Sequence, residues 1–228
     1  MLNGLSEVAL SKSACAETSS LKSSIGASLL DGCERAAGLV LLTAAVPIIV
    51  GSAVVLGFAY RRFPLITHRR MGRDLAPFWM FKLRTMEQGG EPFPRGWLSI
   101  ERITSAPDSR FKPRDDHRVS SAFAAFCRRH SIDELPQLIH VVSGRMSLVG
   151  PRPVTQQELV EHYGGVADEV FAVKPGLTGL WQVQGRSSLT MSERVALDLE
   201  LVRSTGLWGR LRIALCTIRA VFSGNGAW

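Results

Sequence analysis

The longest uncharged stretch of this chain runs from Ala36 to Tyr60, and it sets the first constraint on the fold. A helix of roughly 20 consecutive apolar residues is long enough to cross a bilayer, and this stretch meets that length. Pro47 lies near its middle, where proline removes a backbone hydrogen bond and favours a kink. Three arrangements stay open: a helix that spans the membrane, a bent helix that enters and leaves by the cytoplasmic face, and a helix buried in a protein core.

Basic residues crowd the C-terminal end of this stretch, and its N-terminal flank is close to neutral. The basic residues are Arg61, Arg62, Arg69, Arg70 and Arg73. Because lysine and arginine beside a membrane segment mark the cytoplasmic side, we expect the following residues to be cytoplasmic. Residues 1–30 are rich in serine and alanine and show no sustained apolar period. We predict a disordered tail over 1–30, a membrane-inserted helix over 31–60 with a kink at Pro47, and a cytoplasmic domain over 61–228.

The formal net charge of +7 indicates an anionic partner. Nucleic acid, an acidic membrane surface and a phosphate-rich substrate all fit this charge, and composition does not separate them. The four cysteines lie far apart, at Cys15, Cys33, Cys127 and Cys216. This spacing is typical of neither a metal site nor a disulfide framework, so we interpret them as free thiols in a reducing compartment.

The segment after Tyr60 mixes strand and helix patterns. Residues 78–84 are predicted as a short strand or a surface-lying segment, and residues 135–142 and 191–202 as helices. Residues 208–222 form an amphipathic pattern, which fits a helix on a membrane surface and a core-packing helix equally. We expect an α+β fold, mostly helical, with a small catalytic domain and surface-lying amphipathic helices.

An adjacent carboxylate pair, Asp133 and Glu134, is the strongest indication of chemistry. A carboxylate can attack phosphorus to form an acyl phosphate, and a neighbouring carboxylate can hold a magnesium ion that also binds phosphate oxygens. Arginines supply the bidentate contacts that phosphates need. The same pair is also typical of a helix N-terminus or a solvated face. Taken alone, it leaves these interpretations open.

Several ordered blocks surround this pair. Residues 131–138 read Ser-Ile-Asp-Glu-Leu-Pro-Gln-Leu, and residues 146–153 read Met-Ser-Leu-Val-Gly-Pro-Arg-Pro. Further blocks lie at 68–73, 81–86, 116–120 and 174–187. Together they closely resemble the bacterial sugar transferase family, the monotopic polyprenyl-phosphate phosphoglycosyl transferases, and they follow in that family's order. The short form of the chain is most similar to members that initiate exopolysaccharide synthesis.

The resemblance implies a membrane-bound enzyme that moves a phosphosugar from a UDP-sugar to undecaprenyl phosphate and releases UMP. It implies that Asp133 is the nucleophile and that Glu134, together with Asp133, holds Mg²⁺. It implies phosphate or substrate binding by a set of basic residues: Lys82, Arg84, Arg118, Arg128, Arg152, Lys174 and Arg186. It also implies a re-entrant helix broken at Pro47, a location at the inner membrane with the catalytic domain facing the cytoplasm, and membrane lipid rather than nucleic acid as a partner.

The sequence departs from the family pattern at a few positions, and none of them is the expected nucleophile. His117 stands in place of a proline, Leu201 in place of an aromatic residue and Arg210 in place of an aspartate. A catalytically inactive membrane-bound relative, acting as a partner in polysaccharide synthesis, is therefore the alternative hypothesis. A nucleic-acid binder is a third, which explains the charge but not the uncharged stretch. For the enzyme we expect a hexose donor, and galactose in preference to glucose.

Overall fold

The structure, a computed structural model, describes residues 3–86, 101–103, 119, 121–185 and 188–223. The fold is α+β and mostly helical, as the sequence predicts. The helices are α1 (Asn3–Tyr60), α2 (Ala122–Arg129), α3 (Leu138–Val142), α4 (Gln156–Glu158), α5 (Ala167–Val170), α6 (Leu180–Gln184), α7 (Met191–Ser204) and α8 (Leu207–Ser223). The strands are β1 (Leu65–Met71), β2 (Pro77–Leu83), β3 (Glu101–Ile103), β4 (Ser147–Val149) and β5 (Gly176–Thr178).

The N-terminal helix α1 is longer than the sequence patterns indicate. Its backbone is helical from Asn3, within the segment predicted as a disordered tail, and it stays helical across Pro47 to Tyr60. No proline precedes Pro47, so nothing in the earlier sequence forces a helix end. The part from Ser28 to Tyr60 is long and apolar enough to cross a membrane by length and composition. The division into tail, anchor and domain stays a prediction, as does the kink.

One face of α1 packs on the rest of the protein. The buried residues of this face are spaced four or seven positions apart, which places them on one side of a helix. They are Gly38, Ala45, Ser52, Leu56 and Tyr60. A Cβ added at Gly38 would lie 2.9 Å from Val141 Cγ1, so glycine permits the close approach of α1 and α3. The opposite face is apolar and exposed. A helix with only one buried side is not the core helix that the sequence left open.

The larger sheet is built on a hairpin. β1 and β2 pair antiparallel, from Leu65 opposite Leu83 to Met71 opposite Pro77, and β3 pairs parallel with the other edge of β1. Of the two alternatives that the sequence left open for residues 78–84, a short strand and a surface-lying segment, the structure shows the strand. Leu83 from β2 packs with Leu56 and Tyr60 of α1 and with Cys127 of α2. This core fixes β2 against both helices.

The smaller sheet joins two glycine-containing segments. β4 and β5 pair parallel, with Ser147 opposite Gly176 and Val149 opposite Thr178. A Cβ added at Gly176 would lie 2.1 Å from the backbone nitrogen of Gly150, so a side chain at position 176 cannot fit without moving the backbone. The close contact holds the segment after β4 beside β5.

The last two helices close the fold over this sheet. Thr190 and Glu193 form a reciprocal cap at the start of α7, in which each side chain accepts a hydrogen bond from the other's backbone amide. Leu201 of α7 and Ile213 of α8 are buried together with Val149 of β4. The predicted helices at 191–202 and 208–222 are therefore confirmed. α8 packs one side in the core and exposes apolar side chains such as Phe222 on the other.

Candidate active site

A cavity of about 330 Å³ opens between the carboxylate pair, the second sheet and helix α8. Its charged and polar lining residues are Lys82, Arg128, His130, Ser131, Asp133, Glu134, Arg152, Thr178, Gln182, Arg194 and Thr217. Its apolar lining residues are Leu41, Leu135, Leu148, Leu177, Trp181, Ala214, Ile218 and Val221. The two sets give the cavity one charged end and one apolar wall.

The carboxylate pair lies in a short 3₁₀ helix, Ile132–Gln137. This helix begins before the predicted helix at 135–142 and leads into α3. Ser131 immediately precedes it with φ 54°, a left-handed conformation that is unfavourable for residues other than glycine. Arg128, before this turn, and Asp133, after it, line the same cavity. Asp133 is 2% exposed.

Lys82 connects both carboxylates. Its Nζ lies 3.0 Å from Asp133 Oδ2 and 3.5 Å from Glu134 Oε1. Thr85 Oγ1 also donates to Asp133 Oδ2, at 3.5 Å. A buried carboxylate needs such partners because desolvation penalises its charge. The resemblance placed Lys82 near the active site, and the structure brings it into contact with the pair.

His140 holds the strand that carries Lys82. Its Nε2 accepts a hydrogen bond from the backbone N–H of Phe81 at 3.2 Å, and the two rings stack with centroids 5.2 Å apart. Burial, with a smaller effect from the charge of Arg145, lowers the pKa of His140 to about 4. The neutral ring therefore remains an acceptor at neutral pH. No sequence pattern marks His140 as part of this site.

Arg152 is presented by the turn after β4. Gly150 N–H donates to Thr178 O at 2.9 Å, and Gly176 N–H donates to Pro151 O at 2.8 Å, so the turn is bonded to β5 on both sides. The guanidinium nitrogen of Arg152 lies 3.9 Å from Glu134 Oε1. Its guanidinium carbon lies 5.6 Å from the centre of the Trp181 ring. Arg152 thus bridges the carboxylate pair and an aromatic wall of the cavity.

Arg194 is a fourth cationic residue of the cavity, and the sequence analysis missed it. Its guanidinium carbon lies 4.8 Å from the Trp181 ring centre. Arg194 Nε, Trp181 Nε1 and Gln182 Oε1 are buried, with no hydrogen-bond partner in the described part of the chain. Buried polar atoms are normally bonded, so these are suited to contact a polar ligand. The described part of the lining has four cationic residues, Lys82, Arg128, Arg152 and Arg194, and only two carboxylates, so it favours an anion.

The other predicted binding residues lie elsewhere or outside the described residues. Arg84 is 3% exposed, and its Nε donates to the Phe63 carbonyl at 3.2 Å. Lys174 pairs with Asp31 of α1. Neither is among the described residues that line the cavity. Arg118 and Arg186 fall outside the described residues.

Behind Arg152 lies a fully buried carboxylate, Asp198, with 0% exposure. The Tyr163 hydroxyl donates to its Oδ2 at 2.8 Å. Burial raises the pKa of Asp198 to about 7, and the Tyr163 hydroxyl and Arg152 only partly oppose this effect. The local sequence gives no sign of this burial, since aspartate in a helix is ordinarily exposed.

Comparisons with known proteins agree on a family. The model of the family described as "Bacterial sugar transferase" matches residues 27–224. The chain is 38% identical over 199 residues to the "UDP-galactose-lipid carrier transferase" of Erwinia amylovora, a match over 86% of this chain and 41% of that protein. It is 38% identical over 167 residues to "Exopolysaccharide production protein ExoY" of Rhizobium meliloti, over 71% of each chain.

A third relative carries a different sugar in its name. The "UDP-glucose:undecaprenyl-phosphate glucose-1-phosphate transferase" of Caulobacter vibrioides is 35% identical over 173 residues, which cover 72% of this chain and 58% of that protein. The chain thus spans less than half of the Erwinia relative. The family match covers most of the chain, and the carboxylate pair and Arg152 lie within it. The chain belongs to the bacterial sugar transferase family.

Proposed function

We propose that this protein transfers a hexose-1-phosphate, with galactose as the favoured sugar, from a UDP-sugar to undecaprenyl phosphate, as the first step of exopolysaccharide or other glycan assembly. The observation that supports this proposal most is the position of Asp133 at the charged end of the cavity, where its Oδ2 lies 3.0 Å from Lys82 Nζ. The names of the relatives support the reaction class, and that of the Erwinia protein supports galactose. The cationic lining suits substrates that carry phosphates.

The reaction proceeds in two displacements. An oxygen of Asp133 attacks the sugar-bearing phosphorus of the UDP-sugar, and the phosphorus–oxygen bond to the uridine phosphate breaks, so UMP leaves. A phosphate oxygen of the lipid then attacks the same phosphorus, and the bond to Asp133 breaks. The lipid diphosphate sugar leaves and the carboxylate returns. Lys82 and Thr85 both contact Oδ2, so we assign Oδ1 as the attacking oxygen.

The cationic residues stabilise the charge that builds on the transferring phosphate. Lys82 and Arg152 both lie within 4 Å of a carboxylate of the pair, at 3.0 Å and 3.9 Å, so a phosphate there lies between two cations. Preorganised charges of this kind typically lower a barrier by a few kcal/mol, about 10²–10³ in rate. Trp181 holds Arg152 and Arg194 at one wall, where they can reach the second phosphate of the donor.

The carboxylate pair also fits a magnesium ion. The described residues contain no cluster of three or more histidine, cysteine or acidic side chains. Mg²⁺ is usually bound by one or two carboxylates plus substrate phosphates, so it does not need such a cluster. Glu134, which is partly exposed in the cavity beside Asp133, is the residue we propose as its main protein ligand. The ion would neutralise charge on the diphosphate of the donor.

Contacts of α1 support an anchor whose two ends lie on the cytoplasmic side of the inner membrane. Asp31 pairs with Lys174 near the start of the apolar part of α1, Ser28–Tyr60, and the Tyr60 hydroxyl donates to Thr85 O at 3.2 Å at its end. These ends are separated by about 43 Å of helix at 1.5 Å per residue. A spanning helix would carry the domain that binds both ends into the bilayer. We propose instead that the exposed apolar face of α1 enters one leaflet, in a re-entrant arrangement.

The test is UMP release by the purified full chain in detergent. With undecaprenyl phosphate, Mg²⁺ and UDP-galactose, we expect turnover, and lower turnover with UDP-glucose. Asp133→Asn should release no UMP and should gain no phosphosugar mass in intact-protein mass spectrometry, because an amide forms no acyl phosphate. Turnover by Asp133→Asn at the rate of the unmodified protein contradicts the covalent route. Absence of turnover with every UDP-sugar would support the inactive relative instead.

A further inference from the structure

The apolar wall of the cavity is formed by one side of helix α8. Ala214, Thr217, Ile218 and Val221 all line the cavity, and their spacing of three, four and seven places them on one face. Two hydrogen bonds hold that face in position. Thr217 Oγ1 lies 2.8 Å from Thr178 Oγ1 of β5, and the His130 ring bonds the Val221 carbonyl at 2.8 Å. The wall is therefore hydrogen-bonded to β5 and to His130, the residue that follows α2.

The cavity opens onto apolar surface rather than onto a polar rim. Leu41 of α1 and Ile218 of α8 both line the cavity, yet they are 47% and 55% exposed. Each has an exposed apolar neighbour, Val40 beside Leu41 and Leu215 one turn before Ile218, although α8 also exposes Arg212 and Arg219. The mouth between α1 and α8 thus connects the charged end of the cavity with the apolar faces of both helices.

This combination does not match a UDP-sugar, which is polar along its whole length. It matches an amphiphile with a phosphate at one end and a hydrocarbon chain at the other. Lys82, Arg128 and Arg152 complement the phosphate, and the wall of α8 complements the chain. The mouth lets the rest of a long chain continue into the bilayer beside α1. A nucleotide-sugar needs only the charged end.

We infer that the cleft between α1 and α8 binds the phosphate-proximal isoprene units of the polyprenyl phosphate acceptor, with Leu41 and Ile218 at its entrance. The inference rests on the proposed function, since it names where one substrate of that reaction lies. It divides the cavity between the two half-reactions. Donor cleavage uses the charged end alone, whereas transfer to the lipid uses the apolar cleft as well.

The test compares Ile218→Gln with Leu215→Gln. Both residues lie on α8 and are more than half exposed, at 55% and 59%, but Ile218 lines the cavity and Leu215 does not. The full chain is assayed in detergent, so that membrane affinity does not enter. Donor cleavage is followed as exchange of labelled UMP into the UDP-sugar without lipid, and complete transfer is followed with undecaprenyl phosphate.

For Ile218→Gln we expect the KM for undecaprenyl phosphate to rise about tenfold, the effect of losing one buried aliphatic contact, with UMP exchange within about twofold of Leu215→Gln. With a ten-carbon isoprenoid phosphate as acceptor, which keeps the phosphate-proximal isoprene units, the KM should also be higher for Ile218→Gln than for Leu215→Gln. Equal KM values for undecaprenyl phosphate in the two variants overturn the inference, and so does an equal loss of UMP exchange and transfer in Ile218→Gln. Absence of UMP exchange in the unmodified protein contradicts the proposed function itself.

Discussion

Lys82 Nζ lies 3.0 Å from Asp133 Oδ2, and the two residues come from separate elements, strand β2 and the 3₁₀ helix before α3. The side chain of Asp133 is 3% exposed and that of Lys82 is 21% exposed. Asp133 therefore depends on Lys82 for the compensation of its charge. The contact also makes the activity of the carboxylate sensitive to changes in the strand that carries the lysine.

Replacing Lys82 with methionine should reduce UMP release at least about 100-fold, because the cation nearest the transferring phosphate is lost. The variant should also unfold at a lower temperature, since the buried carboxylate loses its partner. Initial rates and thermal unfolding of the detergent-solubilised protein measure both effects. Arg203→Met is the control, since Arg203 forms an ion pair with Glu169 at 2.6 Å on the exposed surface. Similar rates in the two variants would contradict the role of Lys82.

Glu134→Gln should raise the magnesium concentration needed for half-maximal activity by about tenfold or more, or abolish turnover. An amide is a weaker ligand than a carboxylate for a hard cation such as Mg²⁺. The measurement is a magnesium titration of UMP release, with a chelator to define the zero point. Glu161→Gln is the matched control, because Glu161 is exposed and does not line the cavity. Full activity of the unmodified protein in excess chelator speaks against a metal role for Glu134.

Asp198 should make the stability of the fold fall as the pH rises. Burial raises its pKa to about 7, above the ordinary value of 3.8, so the folded state binds the proton more tightly than the unfolded state. The resulting stabilisation is complete below about pH 4 and is lost as the pH rises through 7. Asp198→Asn should therefore flatten the decline of the unfolding temperature between pH 5 and 8.

Thermal unfolding at several pH values measures this slope. Asp168→Asn, a change at an exposed carboxylate in α5, is the control and should keep the slope of the unmodified protein. Tyr163→Phe removes the hydroxyl that donates to Asp198, so it should raise the pKa further and steepen the decline. Identical slopes for the unmodified protein and Asp198→Asn would exclude Asp198 as the source.

The membrane arrangement can be tested with Cys15 as the labelled thiol after Cys33, Cys127 and Cys216 are replaced. If both ends of α1 are on the cytoplasmic side, an impermeant thiol reagent should not label Cys15 in intact cells and should label it after permeabilisation. Because α1 contacts the domain as far as Asp31, we expect Pro47→Leu to give the same result. Labelling of Cys15 in intact cells would show that α1 spans the membrane.

The sequence predicted α1 in part, α7, α8 and the carboxylate pair, but neither α2, α4, α5 and α6 nor how distant segments meet. The blocks around Asp133 and Arg152 identified the family, and the length of the apolar stretch indicated α1. Strands β4 and β5 have three residues each, too few for an alternating pattern to show. Their pairing, which positions Arg152, depends on the contact between Gly150 and Gly176, and this contact has no local signal.

The contacts of the cationic residues could not be predicted from the sequence either. Arg194 lies in α7, and an arginine in a helix is ordinarily solvated. Arg194 lines the cavity because its guanidinium lies over the ring of Trp181, a contact between two separate helices. Lys174 lies in a block that resembles the family signature, yet its partner in the structure is Asp31. A motif states which residue types recur, whereas their partners depend on packing between elements far apart in the chain.

The ion pair of Asp31 and Lys174 joins residues separated by 143 positions. During synthesis, α1 leaves the ribosome long before α3, β5 or Lys174 exist, so the face of α1 that contains Gly38 and Ala45 is uncovered at that stage. The part of nascent α1 from Ser28 to Tyr60 is strongly apolar. If it is the membrane anchor proposed above, the order of translation sets an order of assembly: the membrane receives this part of α1 first, and the folding domain then packs on one face of it.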